Sequence, residues 1–259
     1  MLIFFDIDGT LLGEWSHVLP ESAARAIAVA RQNGHICAVN TGRTKKLVEP
    51  DIAKLQQFDA FLMGCGTMIT YKDKELFHKT FSEAESEEII YALNRYGIDA
   101  VLEGSKNNYH DNIDSMRTKT FRDFVSRFAK NGYGGLKDAI GNFDKFFTYV
   151  DDVERIIAFQ REFEDSLDFV DRKHGFFEIM PKGCSKASAM EFLAGELGIS
   201  MKDTAALGDS SNDIPMLRCA HIAIAMGNAA EDVKAEADYV TTSLEEDGVW
   251  NALKWLGVI

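Results

Sequence analysis

Leu2 to Phe5 is an unbroken run of large apolar side chains that stops at Asp6-Ile7-Asp8-Gly9-Thr10. A run without polar alternation suits a strand buried on both faces, as in a parallel sheet covered by helices. The aspartates then stand at the strand's carboxyl end, where open α/β sheets bind their ligands. The same texture repeats further on. Pro20 to Asn33 predicts a helix with Ala23, Ile27 and Ala30 on one face and Gly34 as its stop. His35 to Val39 predicts a second strand, running into Asn40-Thr41-Gly42-Arg43. A helical stretch broken at Pro50 and a strand around Phe61 to Met63 complete an alternation that predicts a doubly wound, mostly parallel α/β sheet.

From about Ser82 the pattern changes. Glu83 to Tyr96 reads as helix, Ile98 to Glu103 and Tyr109 to Asn112 as extended, Thr118 to Lys130 as helix, and Gly132 to Gly141 as a glycine-rich loop. Lys145 to Val150, Asp152 to Glu164, Asp168 to Asp171 and Phe176 to Met180 continue as strand, helix and two strands. Alternation resumes at Ser185 with a helix to Leu197, a strand Thr204 to Leu207 ending at Gly208-Asp209, a helix through Met216 and Leu217, a strand Ile222 to Ala225 and a helix Gly248 to Leu256. The expected organisation is therefore a core built from residues 1–81 and 181–259, with residues 82–180 inserted as an α+β domain.

Composition narrows the function. Of 259 residues, 46% are hydrophobic and 27% charged, which is ordinary globular composition. A net charge of −13 repels a phosphate backbone, so neither nucleic acid nor an anionic membrane is an expected partner. A small anionic substrate stays compatible, because a local cationic pocket and a metal ion override the global field at short range. Cys37, Cys65, Cys184 and Cys219 are scattered without zinc-ligand spacing and read as reduced structural thiols. The apolar start of the chain is cut by Asp6 and Asp8 with no basic residue ahead of it, so neither signal peptide nor membrane span is expected and a cytoplasmic location follows.

Hydrolysis of a phosphomonoester is among the slowest uncatalysed reactions, with enzymatic accelerations up to roughly 10²¹-fold, so a site needs a nucleophile, a proton donor and dense positive charge. Asp6 is the candidate nucleophile, forming an aspartyl-phosphate, and Asp8 the acid that protonates the leaving oxygen and then deprotonates water. Two aspartates after a strand serve equally well as a turn or helix cap, so the catalytic reading draws its weight from three further polar segments along the chain. Thr41 and Gly42 open a helix whose hydroxyl and amides can hold phosphate. Arg43 either braces that loop, touches substrate or forms an ordinary surface ion pair. Lys186, at the start of a helix, is the cation expected beside Asp6, with Lys182 the competing candidate. In Gly208-Asp209-Ser210-Ser211-Asn212-Asp213, Asp209 is the expected direct oxygen ligand of Mg²⁺, Asp213 either supports it from behind or is an additional ligand, and Asn212 offers a hydrogen bond to phosphate. Asp6, Asp209 and Asp213 beside a phosphate would repel one another without a cation.

The ordered set DIDGT, NTGR, PKGCSK and GDSSND resembles the four motifs of the haloacid dehalogenase superfamily, in its Cof-type sugar-phosphatase branch. The segments Ala225 to Ala229, Ala237 to Val240 and Glu246 to Val249 are similar to that branch's carboxyl-terminal pattern. The resemblance implies a Rossmann-like core with an α/β cap, between the second and third motifs, that selects substrate. It also implies Asp6 as nucleophile, Asp8 as acid/base whose backbone carbonyl binds Mg²⁺, Thr41 and Lys186 on phosphate, and Asp209 on metal. The sequence departs from the pattern at Asn40, where alanine is commoner, and at Ala187, where glycine is usual; neither change removes a reacting group.

The expected activity is a magnesium-dependent phosphatase of small phosphorylated metabolites, with the sugar phosphates that the resemblance implies preferred to other phosphomonoesters. Two alternatives stand beside it: a phosphomutase using the same nucleophile, and a non-catalytic phosphometabolite-binding module. In the inserted domain His110, Arg117 and Lys119 are candidate site residues or ordinary surface groups. Phe121, Phe124, Phe128, Phe143, Phe146 and Phe147 read as core. Neither the oligomeric state nor the physiological substrate is legible.

Overall fold

A computed structural model describes residues 1–13, 16–55, 57–128 and 133–259. Strand β1 (Leu2–Phe5) leads to α1 (Glu21–Gln32), β2 (Ile36–Asn40), the short helices α2 (Lys45–Val48) and α3 (Ile52–Leu55), β3 (Ala60–Met63), β4 (Met68–Tyr71) and β5 (Lys74–His78). Then come α4 (Glu83–Tyr96), β6 (Ala100–Glu103), β7 (Asn108–Tyr109), α5 (Lys119–Phe128), α6 (Leu136–Ala139), β8 (Lys145–Tyr149), α7 (Val153–Glu162), β9 (Leu167–Asp171) and β10 (Phe176–Pro181). The last stretch is α8 (Lys186–Glu196), β11 (Thr204–Gly208), α9 (Ile214–Cys219), β12 (Ile222–Ala225), α10 (Glu231–Lys234), β13 (Tyr239–Val240) and α11 (Gly248–Trp255).

These elements fall into two compact units: Met1–Arg43 with Val48–Phe77 and Ser185–Ile259, and Thr44–Leu47 with His78–Cys184. The first is built on a sheet ordered β13-β12-β11-β1-β2-β3-β4-β5. β1 pairs in parallel with β2 on one side and β11 on the other. The strand order therefore reverses at β1, and the residues just beyond β1 and β11 open onto that switch point. All four residues of β1 are fully buried, because one sheet face packs on α1 and α11 and the other on α8 and α9. α1 follows Pro20 and buries Ala23, Ala26, Ile27 and Ala30, the spacing of a single helical stripe.

The second unit carries a sheet ordered β7-β6-β8-β10-β9, in which each neighbouring pair is antiparallel. Leu102, Phe146 and Ile179 face the cluster that includes Ile89, Leu93, Ile156 and Phe159 of α4 and α7. Val101 and Phe147, on the opposite face, join Phe121 and Val125 of α5. α4 begins with a reciprocal cap, Ser82 Oγ accepting from the Glu85 N–H while Glu85 Oε2 accepts from the Ser82 N–H, and ends at Gly97 with φ 64°. Phe121, Phe143 and Phe146 are buried as expected, whereas Phe124 is 39% exposed.

Two local expectations need correction, and one feature is not anticipated by the sequence. The segment 132–141 is not simply a loop, since Leu136–Ala139 forms α6, with the Gly135 N–H donating to Asp138 Oδ2 at 3.2 Å. Gly132 and the expected end of the preceding helix at residues 129–130 lie outside the described residues, as does the side chain of Phe128. The strand expected to reach Asn112 stops at Tyr109, because Asn112 Oδ1 instead accepts from the Asp114 N–H at 3.1 Å and starts a turn. Finally, β4 and β5 extend the first sheet through an unexpected hairpin whose two turn residues, Lys72 and Asp73, both have positive φ.

Candidate active site

Asp6 continues from β1 with its N–H donating to Leu207 O at 3.1 Å, so the β1–β11 ladder fixes its backbone. Its carboxylate is buried and faces Lys186, at the first turn of α8. Lys186 Nζ donates to Asp6 Oδ1 and to Asp213 Oδ1, both at 2.5 Å, and is itself 1% exposed. Burial alone would lower the lysine's pKa, but Asp213 and Asp6 outweigh it and hold the ammonium above its ordinary value. Burial pushes the Asp6 carboxyl well up and Asp213 adds to this, against the pull of Lys186. Asn40, at the end of β2, donates through Nδ2 to Lys186 O at 2.9 Å and so ties the second motif to the start of α8.

Asp213 is fully buried and fastens the loop beyond β11, its Oδ2 accepting from the Asp209 N–H at 3.0 Å and the Ser210 N–H at 2.9 Å. That fold-back leaves no room for a side chain at residue 208, where a Cβ would fall within 2.6 Å of the Asp213 Cβ. Asp209 Oδ1 accepts from Thr10 Oγ1 at 3.3 Å. Gly9, at φ +80°, lets the first loop pass so close to Asp209 that any Cβ there would collide with its carboxylate. Asn212 Oδ1 accepts from Ser210 Oγ at 2.6 Å.

Carboxylate oxygens of Asp6, Asp209 and Asp213 lie within 4.8 Å of one another. Burial, with Asp213 next in effect, pushes the Asp209 carboxyl up to about 7, the response expected of carboxylates crowded without enough positive charge. The donor set is all hard oxygen, and the residues present therefore fit a divalent cation of the Mg²⁺ type.

Asp8 is more open than Asp6, with 43% of its side chain exposed. Arg43 grips it from the second motif, Nε donating to Asp8 Oδ2 at 2.8 Å and Nη2 to Asp8 Oδ1. The third guanidinium nitrogen, Nη1, donates to Asp51 Oδ2 at 2.8 Å. Thr41, next to β2, is buried, with its N–H bonded to Leu62 O at 2.8 Å and its Oγ1 accepting from the Arg43 N–H at 3.1 Å. Gly42 lies between them, half-buried. Of the three alternatives for Arg43, bracing between two aspartates is what the structure displays, rather than a solvated surface pair.

Sequence reasoning did not single out Asp51, Thr10 or Asn228. Asn228 Nδ2 donates to Gly9 O at 2.9 Å while its Oδ1 accepts from the Leu244 N–H at 3.1 Å, pinning the first loop to the carboxyl-terminal segment. Thr10 and Asn228 meet partners far away in sequence, whereas Asp51 lies only eight residues from Arg43, and it is the fold of the intervening short helices that brings the two together. Lys182 turns to Glu164 O and Asp168. Within the second unit, Arg117 pairs with Asp99 at 2.7 Å, the His110 ring packs on Tyr133 and Lys119 is exposed. There too, buried Lys145 lies between Glu178 at 3.0 Å and Glu103 at 3.3 Å.

Known proteins sharpen this picture. The 5-amino-6-(5-phospho-D-ribitylamino)uracil phosphatase YcsE of Bacillus subtilis (strain 168) is 26% identical over 255 residues, covering 98% of this chain and 94% of its own. Phosphatase YwpJ of the same organism is 28% identical, covering 98% of this chain and 99% of its own. A solved structure of the HAD subclass IIB sugar phosphatase BT4131 superimposes with a TM-score of 0.83 at 24% identity, covering 100% of this chain and 99% of that one, which shows a shared fold. The family model of haloacid dehalogenase-like hydrolases matches residues 3–253. The chain belongs to the haloacid dehalogenase-like hydrolases.

Proposed function

We propose that this phosphatase hydrolyses small phosphomonoesters, sugar phosphates foremost, through an aspartyl-phosphate on Asp6. The observation that carries the reading is the Lys186 ammonium set between Asp6 and Asp213 at the sheet's switch point. A buried cation there holds the nucleophile in place and meets the charge that gathers on the phosphoryl oxygens. Since Oδ1 of Asp6 lies against Lys186, we assign the attack to Oδ2. The new O–P bond forms as the P–O bond to the leaving group breaks, and Asp8 gives its proton to the departing oxygen. Asp8 then takes a proton from water as that water attacks phosphorus, which releases inorganic phosphate and restores Asp6.

Thr41 and the amides of Gly42 and its neighbours would cradle the phosphate, with Asn212 adding a hydrogen bond through its amide nitrogen. Mg²⁺ would be held by Asp6, Asp209 and the Asp8 carbonyl, with Asp213 a further ligand or fixing the Asp209 loop; it supplies charge neutralisation on the transferring phosphoryl group. Residues 82–180 would act as the cap that selects the leaving group. The ribityl phosphate named for YcsE and the sugar phosphatase activity named for BT4131 support a phosphorylated polyol or sugar as substrate. The four cysteines are free, which supports a reducing, cytoplasmic setting. Among the described residues no helix is long and apolar enough to cross a membrane.

A panel of phosphomonoesters assayed with and without Mg²⁺ tests the reading. Phosphate release that needs Mg²⁺ and vanishes in Asp6→Asn is the expected outcome, and near-normal turnover by Asp6→Asn would remove Asp6 from its role.

A further inference from the structure

Arg43 is held from both sides. Toward Asp8 it presents Nε and Nη2, and toward Asp51 it presents Nη1. The two aspartates differ in kind. Asp51 is buried at 6% exposure and fixed by a second cation, Lys54 Nζ, which donates to Asp51 Oδ1 at 2.7 Å and to His17 O at 2.7 Å. Asp8, by contrast, is open to solvent over nearly half its side chain. One end of the bridge is thus an anchored carboxylate, and the other is a carboxylate that must stay available for chemistry.

A fork presenting two parallel donors fits a phosphate as well as it fits a carboxylate, and the two ligands compete for the same edge of the guanidinium. An arginine that let go of both partners would lose the orientation that makes its fork specific. We propose that Asp51 is a positioning residue: it keeps Arg43 tethered through Nη1 while the Nε/Nη2 edge passes from Asp8 to a non-bridging oxygen of the bound phosphate. In the resting enzyme Arg43 occupies Asp8, and phosphate arrival frees the Asp8 carboxyl to face the leaving oxygen. This deepens the phosphatase reading and rests on it for the role of Asp8, while the exchange itself requires only that a phosphate be bound. Lys54, itself held by the His17 carbonyl, completes the anchor by donating to the other oxygen of Asp51.

The test uses the full-length protein with Mg²⁺ and inorganic phosphate as the probe. Calorimetry compares wild type, Asp51→Asn, Arg43→Ala and the double variant, and crystal structures of wild type are determined with and without phosphate. Asp51→Asn is expected to weaken phosphate binding about tenfold, and to have no further effect in the Arg43→Ala background, because its influence passes through the guanidinium. The phosphate-bound crystal is expected to show Arg43 on Asp51 and on phosphate, and no longer on Asp8. Equal weakening by Asp51→Asn in both backgrounds marks a merely structural role and overturns the proposal. So does an arginine that stays on Asp8 when phosphate binds, or the absence of phosphate binding in wild type. Loss of the exchange in an enzyme that still hydrolyses phosphoesters defeats this inference alone, whereas exchange without hydrolysis defeats the phosphatase reading and leaves the anchor intact.

Discussion

Lys186 Nζ lies 2.5 Å from Asp213 Oδ1, and from that position it also meets Asp6, so one buried ammonium organises two motifs drawn from opposite ends of the chain. Asp213 in turn fastens the Asp209 loop through two backbone N–H groups. Asp6 and the Asp209 loop therefore share a single electrostatic hub.

Removing that hub strands two carboxylates in a buried site. Lys186→Met should cost about 3–5 kcal/mol of stability, the usual penalty for breaking a buried ion pair from one side. It should also lower phosphate release by at least about 10²-fold, in line with the loss of a donor aimed at developing charge. Mg²⁺ should recover part of the stability and none of the rate. Thermal melts with and without Mg²⁺, read beside a phosphate-release assay, check both; a variant as stable and active as wild type contradicts the hub.

The metal-free protein should lose stability as pH rises. Asp209 has its carboxyl raised from an ordinary 3.8 to about 7 in the folded state, by burial first and Asp213 next. A raised group favours the fold fully below its unfolded pKa, and that contribution is lost as pH climbs through the folded value. Asp6 is shifted in the same direction. Denaturant titrations in chelator should thus give a lower midpoint at pH 8 than at pH 5.5, a slope that Asp209→Asn reduces and Mg²⁺ reverses. A flat profile in chelator would count against the crowding.

Gly9→Ala probes the close approach of the first loop to Asp209. The position combines φ +80° with a Cβ that would collide with the carboxylate. Strain of about 1–3 kcal/mol is expected, discharged by displacing Asp209. Calorimetric Mg²⁺ titration should show affinity reduced by an order of magnitude or more. Unchanged affinity would mean that the loop relaxes without moving the ligand.

In the second unit, buried Lys145 lies between Glu103 and Glu178; Glu178 also pairs with Arg172 at 2.8 Å, so Glu103 is the carboxylate that Lys145→Met would strand. Burial already pushes the Glu103 carboxyl upward. Lys145→Met should therefore be far more damaging than Glu103→Gln, by about 3–5 kcal/mol against about 1 kcal/mol. Equal midpoints for the two variants in urea would show that the charges are not coupled.

Much of the fold and of the site is legible in the residues alone. β1 declares itself because a strand buried on both faces is written as an apolar run, and its abrupt stop at Asp6 marks the sheet's functional edge. Lys186 follows from the order of motifs. The hairpin of β4 and β5 is not legible, since its turn is Lys72-Asp73 and carries no glycine or asparagine to announce two positive φ values. β13 is two residues long and has no period to read. Asp51 follows Pro50 and reads as a helix break; only the return of the chain beside Arg43 turns it into an ion-pair partner. Local chemistry is written in the sequence, while which side chains meet is set by the fold, whether across eight residues, as for Arg43 and Asp51, or across most of the chain, as for Gly9 and Asn228.

The central claim is a covalent phosphoryl group on Asp6, and borohydride trapping addresses it directly. The enzyme is mixed with a turned-over phosphomonoester and Mg²⁺, quenched and reduced, and the peptide containing residue 6 is sequenced by mass spectrometry. An acyl phosphate at this position is reduced to the alcohol, so homoserine at position 6, formed only with substrate and Mg²⁺, is the predicted result. Phosphate release with Asp6 unaltered and reduction found at another carboxylate, or at none, would contradict it.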